Sequence, residues 1–407
     1  MSTRQRIALR WAVPFVAALA FAPATPAFAQ PAADDAKPTL EIYGFGQADA
    51  IADFNQNNPD WYDVSRPSRL PAYANQFGDD GHFYLSGRQS RLGVKGTLGD
   101  VKAQFEFDMF GVGPDAGQTT IRLRHAYGQW KQIGAGQTNS EFMDVDVFPN
   151  SLDYWGPGGM LFFRNVQVYW EPYANGNSNA RIAIEAPGAS GDAGVVADRI
   201  ELQNVKARFP APDFTGHYRA GGAFGYVQIG GALRYIAYDD LLTTDQYNLS
   251  GHVWGWGFSA SSNLKASDND VVRLQAIYGE GIENYFNDAP IDVGVARNPG
   301  NAVTPVVGKA LPILGLVAFL DHNWNKEWST AAGYSRVDVT NSDGQAPDAF
   351  RIGQYALVNL LCTPVKNVMM GGELQWTRRE NFSDGWSVND FRLQFSFKYS
   401  FSAKVGG

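Results

Sequence analysis

The C-terminal part of the sequence alternates apolar and polar side chains with a period of two residues, and this alternation restricts the possible folds most. From Phe391 to Phe401 every odd position is Phe, Leu or Tyr, and every even position is Arg, Gln, Ser or Lys. Because successive side chains of a β-strand point to opposite faces, the segment predicts a strand with one apolar and one polar face. The apolar face is aromatic, as in the girdles of transmembrane barrels, whereas a soluble sandwich buries mainly Val, Ile and Leu.

The same alternation recurs along the rest of the chain. Sixteen such segments are found, at residues 40–54, 83–97, 101–110, 119–130, 132–140, 164–172, 179–186, 202–220, 226–238, 247–264, 271–283, 312–324, 328–340, 350–363, 367–380 and 388–401. The connections between them alternate between short and long, which is typical of short periplasmic turns and long outer loops. The pattern therefore predicts an all-β fold, a transmembrane antiparallel β-barrel of about 16 strands.

The N-terminal residues have the three parts of a secretory signal peptide. Three arginines precede an apolar run at 11–21, and Ala27-Phe28-Ala29 forms a small-residue cleavage site. The run is too short for a membrane-spanning helix, which needs roughly 20 apolar residues. We therefore predict a signal peptide at 1–29, a short polar periplasmic lead at 30–38, the barrel at 39–401 and a C-terminal tail at 402–407.

Composition narrows the possible partners and the source of stability. Without the signal peptide the chain has 30 basic and 41 acidic side chains, a net charge of −11, which argues against a nucleic-acid partner. Cys362 is the sole cysteine, so no disulfide can form within the chain. A closed barrel stabilises an exported chain by another route, because each of its strands is hydrogen-bonded on both sides.

The connection from Glu141 to Phe163 is the third outer loop of such a barrel, and it is unusually apolar for a loop in water. It is rich in Met, Val, Phe, Tyr and Trp, while Pro149 and a Gly-Pro-Gly-Gly run prevent it from continuing as a strand. We therefore predict that it folds inward and narrows the lumen. Four acids would then bring negative charge to the constriction: Glu141, Asp144, Asp146 and Asp153. The alternative is a surface loop that holds subunits together or carries solvated acids.

Arginines on predicted lumen faces indicate which solutes pass. Arg122 and Arg124 share one parity of their strand, so both guanidinium groups should point into the lumen, and Arg91 is placed in the same way on an earlier strand. Such groups concentrate anions and can hold a carboxylate through two hydrogen bonds. The alternative is that they pair with the acids of the neighbouring strand, Glu106 and Asp108, and only solvate the wall.

Two further residues have the parity of a lipid-facing side chain. Arg164 shares the parity of Val166, so we expect it at the membrane rim or turned into the pore. His125 shares the parity of Leu123 and Tyr127, which we assign to the lipid side. Because a neutral imidazole is tolerated in a protein–protein contact, we interpret His125 as a subunit-interface residue rather than a metal ligand or base.

Several short segments carry a resemblance to a known family. They are Ser90-Arg91-Leu92-Gly93, Leu123-Arg124-His125-Ala126-Tyr127-Gly128, Gly136-Gln137-Thr138 leading to Phe142-Met143-Asp144, Phe148-Pro149 with Leu152-Asp153, and Phe163-Arg164 before Val166-Gln167-Val168. With these segments the chain resembles the DcaP-like trimeric porins of Gram-negative outer membranes, over about residues 86–170. The resemblance implies anion-preferring trimers of sixteen-stranded barrels, whose basic constriction suits dicarboxylic and aromatic acids. It also implies that Arg122, Arg124 and Arg164 contact the solute.

Two features depart from that family. Some members carry a long helical segment before the barrel, whereas residues 30–38 leave room only for a short lead. Barrels of this type also commonly end on a Phe that the insertion machinery reads, whereas Phe401 is followed by the six residues 402–407.

Together these features predict a porin of the bacterial outer membrane for passive diffusion of small hydrophilic solutes, with small anionic solutes preferred. We expect a homotrimer that contacts outer-membrane lipid and lipopolysaccharide, and a barrel insertion machinery that recognises the last strand. No cofactor or metal is expected, and no enzyme, because the five histidines are scattered and none lies in an H-E-x-x-H motif or beside a G-x-S-x-G motif. The alternatives are a general non-specific porin, or a receptor or adhesin that uses outer loops such as residues 279–311.

Overall fold

The computed structural model describes residues 37–242 and 244–406 and contains a closed antiparallel β-barrel. The last strand pairs with the first from Leu40–Val405 to Asp53–Arg392, and this pairing closes the sheet. The regular elements of the described residues are strands and short 3₁₀ turns, so the predicted all-β class is confirmed. Across those two ranges, no helix has the length and hydropathy required to cross a membrane. The predicted signal peptide lies outside the described residues.

The barrel has 16 strands, as the alternation predicts. They are β1 (Thr39–Asp53), β2 (His82–Ser86 and Arg91–Leu98), β3 (Val101–Asp108), β4 (Arg122–Trp130), β5 (Ile133–Asn139), β6 (Arg164–Asn175), β7 (Ser178–Glu185), β8 (Val205–Arg208 and Asp213–Gly222), β9 (Gly225–Asp240), β10 (Gly251–Lys265), β11 (Asp270–Glu280), β12 (Pro312–Asn323), β13 (Trp328–Val339), β14 (Phe350–Val365), β15 (Val368–Asn381) and β16 (Ser387–Val405). Three short strands form a separate small sheet: Gly191–Asp192, Val293–Arg297 and Val306–Ala310.

Two barrel strands are interrupted, which the sequence pattern did not indicate. Both parts of β2 pair with β1, and both parts of β8 pair with β9, so each pair of segments occupies one position in the wall. The end of the barrel also differs from the prediction. Strand β16 continues to Val405 because Leu40 at the start of β1 still pairs with it, and most of the predicted tail therefore belongs to the last strand.

Alternate side chains of β16 face two different environments. The outward residues Phe391 and Phe395 are 53% and 51% exposed on the isolated chain, as expected for a surface that meets lipid. The inward residues Arg392, Gln394 and Ser396 are at most 1% exposed. Inward side chains of a wall that faces an open, water-filled lumen would be exposed to solvent. Other parts of the chain must therefore cover the inward side chains of β16.

A β-bulge in β4 changes which of its side chains face the lumen. Glu106 of β3 pairs with His125 and Phe107 pairs with Leu123, so Arg124 is an extra residue in β4. The bulge reverses the parity of the residues that follow, and the side chains of His125 and Tyr127 turn to the lumen.

Contacts of those two side chains confirm the reversal. The His125 ring lies 3.0 Å from the Thr138 hydroxyl, and Tyr127 donates to Gln104 at 3.3 Å. The interpretation of His125 as a subunit-interface residue, and the assignment of Tyr127 to the lipid side, are therefore wrong.

Three outer loops pack against one another. We name them L1 (54–81), L3 (140–163) and L6 (281–311) after their order around the barrel. L3 packs against L6 through Phe142 and Leu161, which cluster with Tyr285 and Phe286. L1 packs against L3 through Trp61, which clusters with Tyr154 and Trp155.

Candidate functional site

The first part of L3 is attached to the wall by its acids. Glu141 lies 3.5 Å from Arg181 of β7 and 3.2 Å from His217 of β8. Arg219 of β8 reaches Asp144 at 2.7 Å and Asp146 at 2.5 Å.

Asp144 has further donors on the same wall. It accepts hydrogen bonds from the Tyr226 hydroxyl at 2.9 Å and from the Ser261 hydroxyl at 2.6 Å. Three of the four predicted constriction acids therefore lie together at one wall, each paired with a cation.

The middle of L3 reaches a different part of the wall through its backbone. The amides of Leu152 and Asp153 donate to the carboxylate of Glu373 on β15, at 2.7 and 3.0 Å. The Asp153 carboxylate accepts from the amides of Ser65 in L1 and Gly156 in L3. Burial of this carboxyl raises the pKa of Asp153 to about 6. Asp153 therefore holds L3 to L1 and lies apart from the other three acids.

Adjacent aromatic residues of L3 make the next two contacts. The Tyr154 hydroxyl accepts from Arg124 Nη1 at 2.6 Å and donates to Asp108 Oδ2 at 2.7 Å. The Trp155 indole donates to the Asn287 carbonyl of L6 at 2.6 Å.

Trp155 also contributes to a stacked arrangement that joins the three loops. The Arg66 guanidinium of L1 lies 4.0 Å from the Trp155 ring centroid and 4.3 Å from that of Trp61, and it pairs with Asp288 of L6 at 2.9 Å. These contacts support the predicted inward course of L3. That L3 forms the constriction of the lumen stays a prediction.

The four predicted solute contacts come together on a neighbouring part of the wall, formed by β2, β4 and the start of β6. Arg122 pairs with Asp108 at 2.8 Å, and Arg124 pairs with both Glu106 at 2.6 Å and Asp108 at 2.9 Å. Arg91 lies farther from Glu106, at 3.5 Å. Arg122 and Arg124 therefore pair with the acids of the neighbouring strand, and their contact with a solute stays a prediction.

Arg164 completes this group and differs from its neighbours. It interacts electrostatically with Arg122 and Arg124, which places it beside the lumen cluster rather than on the lipid side. Its Nη1 atom is shielded from solvent and has no hydrogen-bond partner. We call Arg91, Arg122, Arg124, Arg164, Glu106 and Asp108 the basic cluster. Three of its guanidinium groups pair with the two carboxylates, and Arg164 lies beside them.

Sequence reasoning missed a second arginine group. Arg181 and Arg219 meet four carboxylates, Glu141, Glu171, Asp144 and Asp146, and we call these six residues the anchor cluster. Parity could have located both arginines, because Arg181 directly precedes the outward Ile182 and Arg219 directly follows the outward Tyr218. No local signal could have assigned Tyr154, since its partners are more than 29 residues away in sequence.

A polar cavity of about 350 Å³ lies inside the barrel between L3 and the wall. Its lining includes His125, Tyr127, Arg181, His217 and Arg219. Within residues 37–242 and 244–406, no three His, Cys, Asp or Glu side chains are arranged to hold a metal ion. Because its lining is polar and charged, the cavity can offer hydrogen bonds and charge to a small hydrophilic solute.

Comparisons with known proteins agree with this architecture. The sequence profile of the DcaP outer membrane protein family matches residues 24–401. The chain is similar to the outer membrane channel DcaP of Acinetobacter baumannii, with 21% identity, a TM-score of 0.73, and coverage of 89% of this chain and 97% of that one. No curated protein sequence matches the chain.

Two other solved structures share the fold at lower similarity. The anion-selective porin from Comamonas acidovorans has 12% identity and a TM-score of 0.54, with coverage of 89% of this chain and 100% of that one. The trimer form of OmpT from Vibrio cholerae has 11% identity and a TM-score of 0.51, with coverage of 89% and 99%.

Proposed function

Since this chain belongs to the DcaP outer membrane protein family and is an outer-membrane channel of the porin type, we propose that its lumen prefers anions and suits dicarboxylic or aromatic acids. Its location is the bacterial outer membrane.

One observation carries the proposal: the excess of two positive charges in the basic cluster. Arg122 and Arg124 share Asp108, Arg91 has a single distant partner, and Arg164 Nη1 has none. An uncompensated charge beside a water-filled lumen with low-dielectric walls attracts counter-ions. A guanidinium also offers two parallel donors that match a carboxylate, and this geometry favours carboxylic acids over chloride.

The acids of L3 complete the proposed constriction. Asp146 is the most accessible of them, with a side chain that is 53% exposed, whereas the side chains of Glu141 and Asp144 are at most 5% exposed. We assign to Asp146 a weak repulsion of anions at the edge of the path, because its negative charge is largely balanced by Arg219. The buried acids hold L3 in place.

The assembly is a further part of the proposal. The related OmpT structure is described as a trimer form, and the Comamonas porin is described as anion-selective. We propose a homotrimer, set in outer-membrane lipid and lipopolysaccharide, whose last strand is recognised by the barrel insertion machinery.

Planar-bilayer recording of the wild-type protein tests the function. In a KCl gradient we expect an open conductance, a reversal potential of the sign that indicates chloride preference, and block by phthalate or succinate at constant ionic strength. A general porin would conduct without block by either acid. A receptor or adhesin would show no conductance, and a cation-preferring reversal potential would contradict the proposal.

A further inference from the structure

We propose that Tyr154 is a built-in competitor for the solute: its phenol occupies the arginine site of the basic cluster and is displaced when a carboxylic acid binds. This inference rests on the proposed function and names the group that controls access to the same site.

Two hydrogen bonds of Tyr154 are of the kind that a bound acid would accept. Its oxygen accepts from Arg124 Nη1 at 2.6 Å and contacts Arg122 Nη2, so the two arginines converge on one oxygen atom. The phenol proton is donated to Asp108 at 2.7 Å. A carboxylate oxygen at this point would meet the same two guanidinium groups.

The ring of Tyr154 occupies a place suited to an aromatic solute. It stacks on Phe110 with a centroid separation of 4.2 Å and an interplanar angle of 10°. The Arg122 guanidinium lies 5.2 Å from the centroid of the Tyr154 ring, and Arg88 lies 4.0 Å from that of Phe110. Stacking of this kind and cation–π contacts both favour a planar ring. The surroundings of Tyr154 therefore match an aromatic acid better than an aliphatic one.

Tyr154 can leave this place without releasing L3. The neighbouring Asp153 is held through its amide by Glu373 and through its carboxylate by L1, and Trp155 is held by Asn287 and Arg66. These anchors fix the backbone on both sides of Tyr154. Rotation of one partly exposed side chain is then enough to free the arginines.

Charge decides which occupant is preferred. The phenol is a neutral acceptor with one oxygen, whereas a carboxylate carries a full negative charge and can take two parallel hydrogen bonds from a guanidinium group. The phenol is tethered, however, and so competes at a high effective concentration, on the order of millimolar or above. We therefore expect chloride to pass without displacing Tyr154. A carboxylic acid must displace the phenol, and it therefore binds more weakly than it would if the Tyr154 hydroxyl were absent.

The substitution Tyr154→Phe removes the competing oxygen and keeps the ring. We expect the concentration of phthalate or succinate that halves the conductance to fall about three- to tenfold, a gain of the size that one net hydrogen bond of the competitor contributes. The matched control is Tyr334→Phe on β13, which removes a hydroxyl that donates to Gln354 at 2.8 Å outside the polar cavity and the basic cluster, and which should leave block unchanged.

A second variant tests the ring and guards against misfolding of the first. Tyr154→Ala also exposes the face of Phe110, so phthalate should gain a further two- to fivefold over succinate. Equal or weaker block by both acids, in variants that insert and conduct normally, would overturn the inference. Absence of any block in the wild-type protein would instead overturn the proposed function, so the two failures are distinguishable.

Discussion

The basic cluster and the anchor cluster line the same lumen and differ in the sign of their net charge. The basic cluster has four guanidinium groups and two carboxylates, and the anchor cluster has two guanidinium groups and four carboxylates. In the first the wall contributes both signs, because Glu106 and Asp108 lie on β3 next to Arg122 and Arg124 of β4. In the second L3 contributes three of the acids, and their role is to attach the loop.

The difference teaches that an inward arginine is not by itself a solute contact. Arg219 points into the lumen as Arg122 does, but it pairs with two carboxylates, so the negative charge beside it exceeds its own positive charge. Arg164 has an Nη1 atom without any partner. The number of acids within reach, rather than the number of arginines, separates a group that holds the loop from a group that attracts an anion.

The largest effect on stability is expected where the anchor cluster is broken. Arg219→Ala leaves the Asp144 carboxylate buried without its cation, which typically costs about 3–5 kcal/mol. Tyr226 and Ser261 still donate to it, so the lower end of that range is expected. The midpoint of heat-induced unfolding, followed by the shift in migration on a detergent gel, measures the loss.

A matched control separates this effect from simple removal of a surface charge. Arg208 also pairs with a carboxylate, that of Asp239, but both side chains are largely exposed. Arg208→Ala should leave the midpoint unchanged. Equal midpoints for the two variants would show that the anchor cluster does not hold L3.

A smaller effect is expected from removing one buried carboxylate in each cluster. Asp108→Asn raises the excess in the basic cluster by one positive charge and should increase the ratio of chloride to potassium permeability about twofold, as expected for a nearby charge screened by water and salt. Glu141→Gln makes the same change in the anchor cluster, where the acid attaches the loop, and should alter the ratio less. Equal shifts in reversal potential would remove the distinction between the two clusters.

The strand pattern was predictable because barrel walls require strict alternation. The aromatic run from Phe391 to Phe401 specified β16 without any other part of the chain. The bulge at Arg124 was not predictable, since it depends on the register between β3 and β4, and it reversed the side assigned to His125 and Tyr127.

The site was predictable only in part. Parity placed Arg91, Arg122 and Arg124 on the lumen side, because their placement depends on local strand geometry. Arg164 has the parity of a lipid-facing residue, and only the resemblance indicated it. The partners in the loops were out of reach, since Tyr154 meets Arg124 and Asp153 meets Ser65 only after the chain has closed. Arg66 of L1, stacked against Trp155, gave no sequence signal for the same reason.

The double variant Arg122→Ala with Arg124→Ala tests the central claim most directly, through its reversal potential in a KCl gradient. It removes two of the four guanidinium groups and so cancels the excess of two positive charges in the basic cluster. We predict a two- to fivefold fall in the ratio of chloride to potassium permeability, together with weaker block by phthalate. The shift should shrink at 1 M salt, where the Debye length is about 3 Å instead of about 10 Å at 0.1 M. Replacement of both residues by Lys should keep the ion preference and lose part of the block, because the charge remains and the planar fork does not. Unchanged selectivity and unchanged block in a double Ala variant that inserts and conducts normally would contradict the account.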